Sequence, residues 1–163
     1  MEVLKHLTYF IMKKIIMIAA LVLGFAVAAS AQPRALGVRI GNGGEISYQH
    51  SLGNNFLEVD GGLGLGLDEN HTLTVGATGI YNFMIAEFGN GFGFYAGPGA
   101  GVGLGLGENS FFNLSAAGMV GIEYSFSFPL QISLDFRQHI GIGFAGHGIW
   151  APSSVGLGIR YRF

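Results

Sequence analysis

Apolar and polar positions alternate along most of this chain from Ala35 onward. From Phe56 to Leu67 the odd positions are Leu57, Val59, Gly61, Leu63, Leu65 and Leu67, and the even ones are Phe56, Glu58, Asp60, Gly62, Gly64 and Gly66. Successive residues of a strand point to opposite faces, so this pattern predicts a strand with one apolar face and one acidic or tiny face. Thr72 to Ile85 repeats it, with Leu73, Val75, Ala77, Tyr81, Phe83 and Ile85 against Thr72, Thr74, Gly76, Thr78 and Asn82. In Phe92 to Leu106 the face opposite Phe92, Phe94, Ala96, Val102, Leu104 and Leu106 is almost all glycine, relieved by Tyr95. Phe112 to Phe128, Leu130 to Arg137 and Val155 to Phe163 follow the same rule. The last of these sets Val155, Leu157, Ile159, Tyr161 and Phe163 against Gly156, Gly158, Arg160 and Arg162.

The first segment, Ala35 to His50, keeps its phase straight through Asn42, Gly43 and Gly44. One long strand preserves that phase, and so does a hairpin whose three-residue turn pairs Gly41 with Glu45 and Ile40 with Ile46. The hairpin is preferred because single-chain bacterial barrels have even strand numbers. The predicted strands are then 35–41, 45–52, 56–67, 72–85, 92–106, 111–127, 130–139 and 153–163. Most match the roughly 9 to 11 residues a membrane-crossing strand needs. The fold expected is all-β, an antiparallel up-and-down transmembrane barrel of about eight strands.

Turn parity supports that expectation. With both ends of the mature chain on the periplasmic side, the turns there are Gly53 to Asn55, Ala86 to Gly91 and Phe128 to Pro129. The strand ends beside them carry Tyr81, Phe83, Phe92, Phe94, Tyr124, Phe126, Tyr161 and Phe163, an aromatic girdle of the kind found at a membrane interface. The outer turns, Asp68 to His71 and Gly107 to Ser110, are short and acidic, and Ile140 to Pro152 is the one long outer loop, with Trp150 as an interfacial anchor.

The N-terminus points to export. Lys13 and Lys14 precede an apolar run from Ile15 to Val27, and Ala29, Ser30 and Ala31 form a small-residue cleavage site. That is a secretory signal peptide at 12–31, too short in its apolar part to span a bilayer as a helix. Residues 1–11 fit no part of such a signal, so Met12 is the expected start, and 32–163 is the expected barrel. The mature part keeps nine acidic residues and five arginines, with no lysine. That balance excludes a nucleic-acid partner, which needs a basic patch. The absence of cysteine excludes disulfides, a thiol nucleophile and a lipidated N-terminal cysteine.

The signal peptide, the period-two strands and the Tyr161-Arg162-Phe163 ending resemble the small outer-membrane β-barrel family of Gram-negative bacteria over nearly the whole mature chain. The resemblance implies an outer-membrane location, contact with membrane lipid and a monomeric barrel. It also implies that Leu157, Ile159, Tyr161 and Phe163 form the strand signal read by the barrel-assembly machinery. Some members are lipid-A hydrolases or acyltransferases that use histidine with serine and a carboxylate.

The polar face carries Arg39, Glu45, Glu58, Asp60, Glu123, Asp135, Arg137, Arg160 and Arg162. Buried charges are tolerated when paired, so these are expected to form an ion-pair network filling the lumen, with a narrow polar-solute conduit as the alternative. The glycine face of Phe92 to Leu106 is expected to make room for arginines from across the barrel. Ser133, Asp135 and His139 have the residue types of a hydrolytic triad, but as a stripe on one strand they stand about 6 to 7 Å apart, too far for nucleophile and base to bond. No enzyme, cofactor or metal site is therefore expected. Gly141 to Gly146 spells G-x-G-x-x-G without the βαβ context a dinucleotide needs. A lipocalin-like soluble barrel would be apolar inside and charged outside, the inverse of this pattern.

Overall fold

The computed structural model describes residues 33–65, 73–106, 110–144 and 148–163. The expected signal peptide, the Asp68 to His71 turn and the end of the glycine motif at Gly146 lie outside the described residues. The strands are β1 (Pro33–Ile40), β2 (Gly43–Leu52), β3 (Asn55–Leu65), β4 (Leu73–Phe88), β5 (Phe92–Leu106), β6 (Phe111–Ser125), β7 (Leu130–Gly143), β8 (Gly148–Trp150) and β9 (Ser153–Arg162). Each pairs antiparallel with its neighbours, and β9 pairs with both β7 and β1. A ring of eight strands therefore closes, the number expected once the first segment is read as a hairpin. The three-residue β8 pairs only with the far end of β7.

Ladder partners followed from Ile40 once around the ring return to β1 displaced by about ten residues. For eight strands this stagger sets a tilt of about 40° to the barrel axis and a backbone radius of about 8 Å. Such a cylinder is filled by its own side chains. Inside and outside follow the predicted parity: on β6, Asn113, Ser115, Ala117, Met119, Gly121 and Glu123 are buried, while Leu114, Ala116, Val120 and Ile122 are exposed.

Three local expectations change. The first hairpin forms, but Ile40 pairs with Gly44 and Arg39 with Glu45, two residues tighter than the expected register. Its turn closes through a Gly41 N–H donated to the Gly43 carbonyl at 3.0 Å. The phase is unchanged, so both registers put the same residues inside. The long Ile140 to Pro152 loop is largely strand instead: β7 runs on to Gly143 and β8 folds back onto it, pairing Ile142 with Ile149. The Ala86 to Gly91 turn is also shorter, because β4 continues to Phe88. It turns at Asn90 and Gly91, whose φ of 72° and 92° lie in the left-handed region that Asn and Gly tolerate best.

The lumen also contains an apolar layer that the alternation hides. Phe56, Ile80, Tyr95 and Met119 are buried on the inward phase of β3, β4, β5 and β6, with Phe56 and Tyr95 edge to face at 5.2 Å.

Candidate functional site: a charged lumen

Arginine is the residue that can reach across this interior, because its long stem carries a flat fork of donors. On β1, Arg39 Nε donates to both oxygens of Asp135 on β7 at 2.9 and 3.2 Å, and its Nη1 donates to Glu45 Oε2 at 2.8 Å. Glu45 also accepts from Arg137 Nη1 at 3.2 Å, which joins β1, β2 and β7 through one carboxylate. The other end of Arg137 pairs with Asp60 and lies 3.6 Å from Glu58. Arg160 on β9 donates to Glu58 at 3.0 Å, to Ser47 at 2.8 Å and to Ser133 at 2.6 Å.

The chain of bonds continues toward the end that carries both termini. Gln49 Nε2 donates to Glu58 at 2.7 Å, and Arg34 donates to Gln49 Oε1 at 2.8 Å and pairs with Glu123. Gln131 Nε2 donates to Glu123 at 2.8 Å. Four arginines and five carboxylates thus form one connected network from Glu45 near one mouth to Arg34 near the other. Those two end groups are 25 % and 19 % exposed, while Arg39, Glu58, Asp60, Asp135, Arg137 and Arg160 are at most 2 % exposed. Solvent meets the network at its ends.

Eight of the nine residues assigned to the lumen from sequence belong to this network. Arg162 does not: it is exposed at the rim, one step beyond the last full ring of the barrel. Arg34 takes part instead, and strand phase gave no sign of it. The β1–β2 register shifts between Pro33 and Ala35, and this bulge lets Arg34 share the interior with Ala35. Its guanidinium lies 4.1 Å from the Phe56 ring centroid, a cation–π contact that joins the network to the apolar layer.

The inner glycines make room for neighbours, though the occupants differ from those expected. Arginines fill the space over β9, with Arg39 against Gly156 and Arg160 against Gly158. On β5 the occupants are local. A Cβ at Gly101 would lie 3.0 Å from Ser115 Oγ and 3.2 Å from both His139 Cε1 and Thr78 Oγ1, and one at Gly103 would lie 2.8 Å from Asn113.

His139 does find a serine, but across the ladder: Ser115 Oγ and His139 Nδ1 are 3.0 Å apart. Asp135, the carboxylate on the histidine's own strand, is bound to Arg39. Among the described residues no three His, Asp or Glu side chains converge as a metal site.

The aromatic residues expected to form a girdle meet as neighbouring ring pairs toward the end of the barrel that carries the termini. Tyr81 and Phe83 meet at 5.0 Å, Phe92 and Tyr124 at 4.6 Å, Tyr124 and Phe126 at 4.7 Å, and Tyr161 and Phe163 at 5.4 Å. Phe94 stands on the same outward phase of β5. Leu157, Ile159, Tyr161 and Phe163 of the closing strand all face outward and are exposed.

Comparison with protein families, with curated proteins and with solved structures returned no match. What the chain is can therefore be stated at the level of architecture: a closed eight-stranded antiparallel β-barrel with a charged, packed interior and an apolar exterior.

Proposed function

We propose that this protein is an integral outer-membrane barrel, exported by the signal at 12–31, with a structural or interaction role and a lumen filled by its own side chains. The observation that carries this reading is the inversion of polarity. Arg39, Arg137 and Arg160 are the largest fully buried side chains, whereas Ile46, Leu63, Leu134, Ile142 and Leu157 are exposed. In water such a surface promotes aggregation; in lipid it is the favoured one. A closed ring also leaves no unpaired strand edge at membrane depth, which a bilayer requires. The sealed layer of Arg39, Arg137, Arg160, Glu58 and Asp60 weighs against a solute conduit. Assembly by the barrel-assembly machinery, using Leu157, Ile159, Tyr161 and Phe163, belongs to the same proposal.

Fractionation of cells expressing the full chain tests it. The expected result is recovery with the outer membrane, resistance to carbonate extraction and a gel mobility that shifts on boiling. Recovery as a soluble periplasmic protein overturns the proposal.

The Ser115–His139 bond favours a second reading, a lipid-A-modifying enzyme. An altered acyl pattern of lipid A in a deletion strain, restored by the wild-type chain and not by Ser115→Ala, supports it; an unchanged pattern removes it.

A further inference from the structure

The two walls of the barrel differ in height. At a tilt of about 40° each residue climbs about 2.5 Å along the axis. The strand registers bring all eight strands to nearly the same level at the end carrying the termini. At the other end β1, β2 and β9 stop at Ile40, Gly43 and Ser153, whereas β5, β6 and β7 continue to Leu106, Phe111 and Gly143. The described crest of the tall wall stands about 15 Å above the rim of the short one. Its outward residues stay apolar to the top: Leu104, Leu106, Phe112, Ile142, Phe144 and Ile149 are between 38 % and 85 % exposed. The outward apolar surface is therefore about 20 Å high on the short side and about 35 Å high on the tall side, against about 25 Å for a typical outer-membrane band.

We infer that this crest of β6, β7 and β8 is a membrane-contacting surface, immersed in the apolar layer of the outer leaflet, with the barrel inclined or the bilayer locally thickened to cover it. Both responses are ordinary answers to mismatch. The inference rests on the membrane-barrel reading above.

Three observations select lipid as the occupant. The crest is continuous with the outward face below it on β6, where Ile122, Val120 and Leu114 lead to Phe112 without a charge. Phe112 and Phe144 stack at 5.7 Å near the top, placing aromatic rings where an interface would follow the crest. Gln138 supplies the third. It lies on the outward phase of β7, where β9 gives way to β8 as the neighbouring strand. There its Nε2 lies 2.8, 3.1 and 3.2 Å from the carbonyls of His139, Pro152 and Ala151. The Pro152 carbonyl already accepts from the His139 N–H at 2.9 Å, but water could satisfy the other two on an aqueous surface. At lipid depth a side chain has to do it.

The full chain has one tryptophan, Trp150, so a movable reporter is simple to build. In a Trp150→Phe background, single tryptophans are placed by Ile149→Trp, by Leu134→Trp in the middle of the apolar band, and by Asn54→Trp in the turn at the terminal end. Each variant is reconstituted in phosphatidylcholine vesicles with bromines at shallow or deep acyl positions, and folding is checked by the heat-dependent gel shift. Ile149→Trp is expected to emit in the blue and to lose to shallow bromines as large a fraction of its emission as Leu134→Trp loses to deep ones. Asn54→Trp is expected to keep its emission. Red, unquenched emission at position 149 with quenching at 134 overturns the inference alone, and absence of quenching at 134 overturns the barrel reading with it. Protection at 149 that disappears on dilution of protein into lipid assigns the crest to a second copy and also overturns the inference. If Ile149→Trp does not fold, Phe144→Trp takes its place with the same outcomes.

Discussion

Arg39 and Glu45 face each other directly across the first hairpin and form a 2.8 Å ion pair inside the barrel. The pair is local in sequence, yet Arg39 also holds Asp135 on β7, and Glu45 also accepts from Arg137. One short hairpin thus holds β7, a strand with which neither β1 nor β2 pairs. Removing one member of such a buried set leaves an uncompensated charge, which costs more than the set contributes.

Arg137→Ala should therefore be severe and Arg162→Ala mild. The first strands Asp60 in the interior, while Glu58 keeps Arg160, and is expected to cost about 3–5 kcal/mol. The second removes an exposed rim side chain and should stay within about 0.5 kcal/mol. Urea unfolding in lipid vesicles, followed by gel shift, measures both; equal midpoints would contradict the placement of these two arginines.

Adjacent residues on β7 separate the faces. Leu134→Arg puts a charge on the outer surface and, if the barrel sits in the membrane as proposed, is expected to cost about 2–4 kcal/mol. Ser133→Ala removes the hydroxyl that accepts from Arg160 and is expected to cost about 1.5–3 kcal/mol, the range for a bond to a charged group. The two are distinguished by solvent. In a small-headgroup detergent the arginine penalty should shrink while the alanine penalty persists.

Glycines should sort by occupant. Gly156→Leu collides with the Arg39 guanidinium, whereas Gly118 faces outward with nothing near a Cβ. The first substitution is expected to abolish the heat-dependent gel shift. Gly118→Ala should fold normally and gain up to about 1 kcal/mol, since alanine loses less chain entropy.

Arg34 and Glu123 should be energetically coupled although strand phase does not pair them. A double-mutant cycle using Arg34→Met and Glu123→Gln is expected to give an interaction of about 1–3 kcal/mol, in line with other contacting pairs in one network. Additive effects would mean that the bulge at Pro33 does not turn Arg34 inward.

Period-two alternation made the inward face legible, because burial on one side of a strand constrains every second residue, whereas the eighth strand came from the even-number rule for barrels. It could not give height. Arg160 and Arg162 share a phase, yet only Arg160 lies deep enough to be enclosed. Nor could it find Ile80, since an apolar residue on the inward phase looks like a fault in the pattern until Phe56, Tyr95 and Met119 surround it. The hairpin register expected from sequence differs from the observed one by two residues, because both keep phase; the paired charges Arg39 and Glu45 favour the tighter one. The Ser115–His139 contact depends on the β6–β7 ladder and has no signature along a single strand.

The seam between β1 and β9 joins Ala35 to Arg162, so nearly the whole described chain separates its two edges. Contacts so distant in sequence are entropically costly to form first and favour slow folding. The ring can close only after β9 has been made, and until then both edge strands can pair with other chains. Arg160 sits on β9, so its bonds to Ser47, Glu58 and Ser133 also become available last. Synthesis can supply seven strands of this wall in order; the eighth turns an aggregation-prone ribbon into a sealed protein.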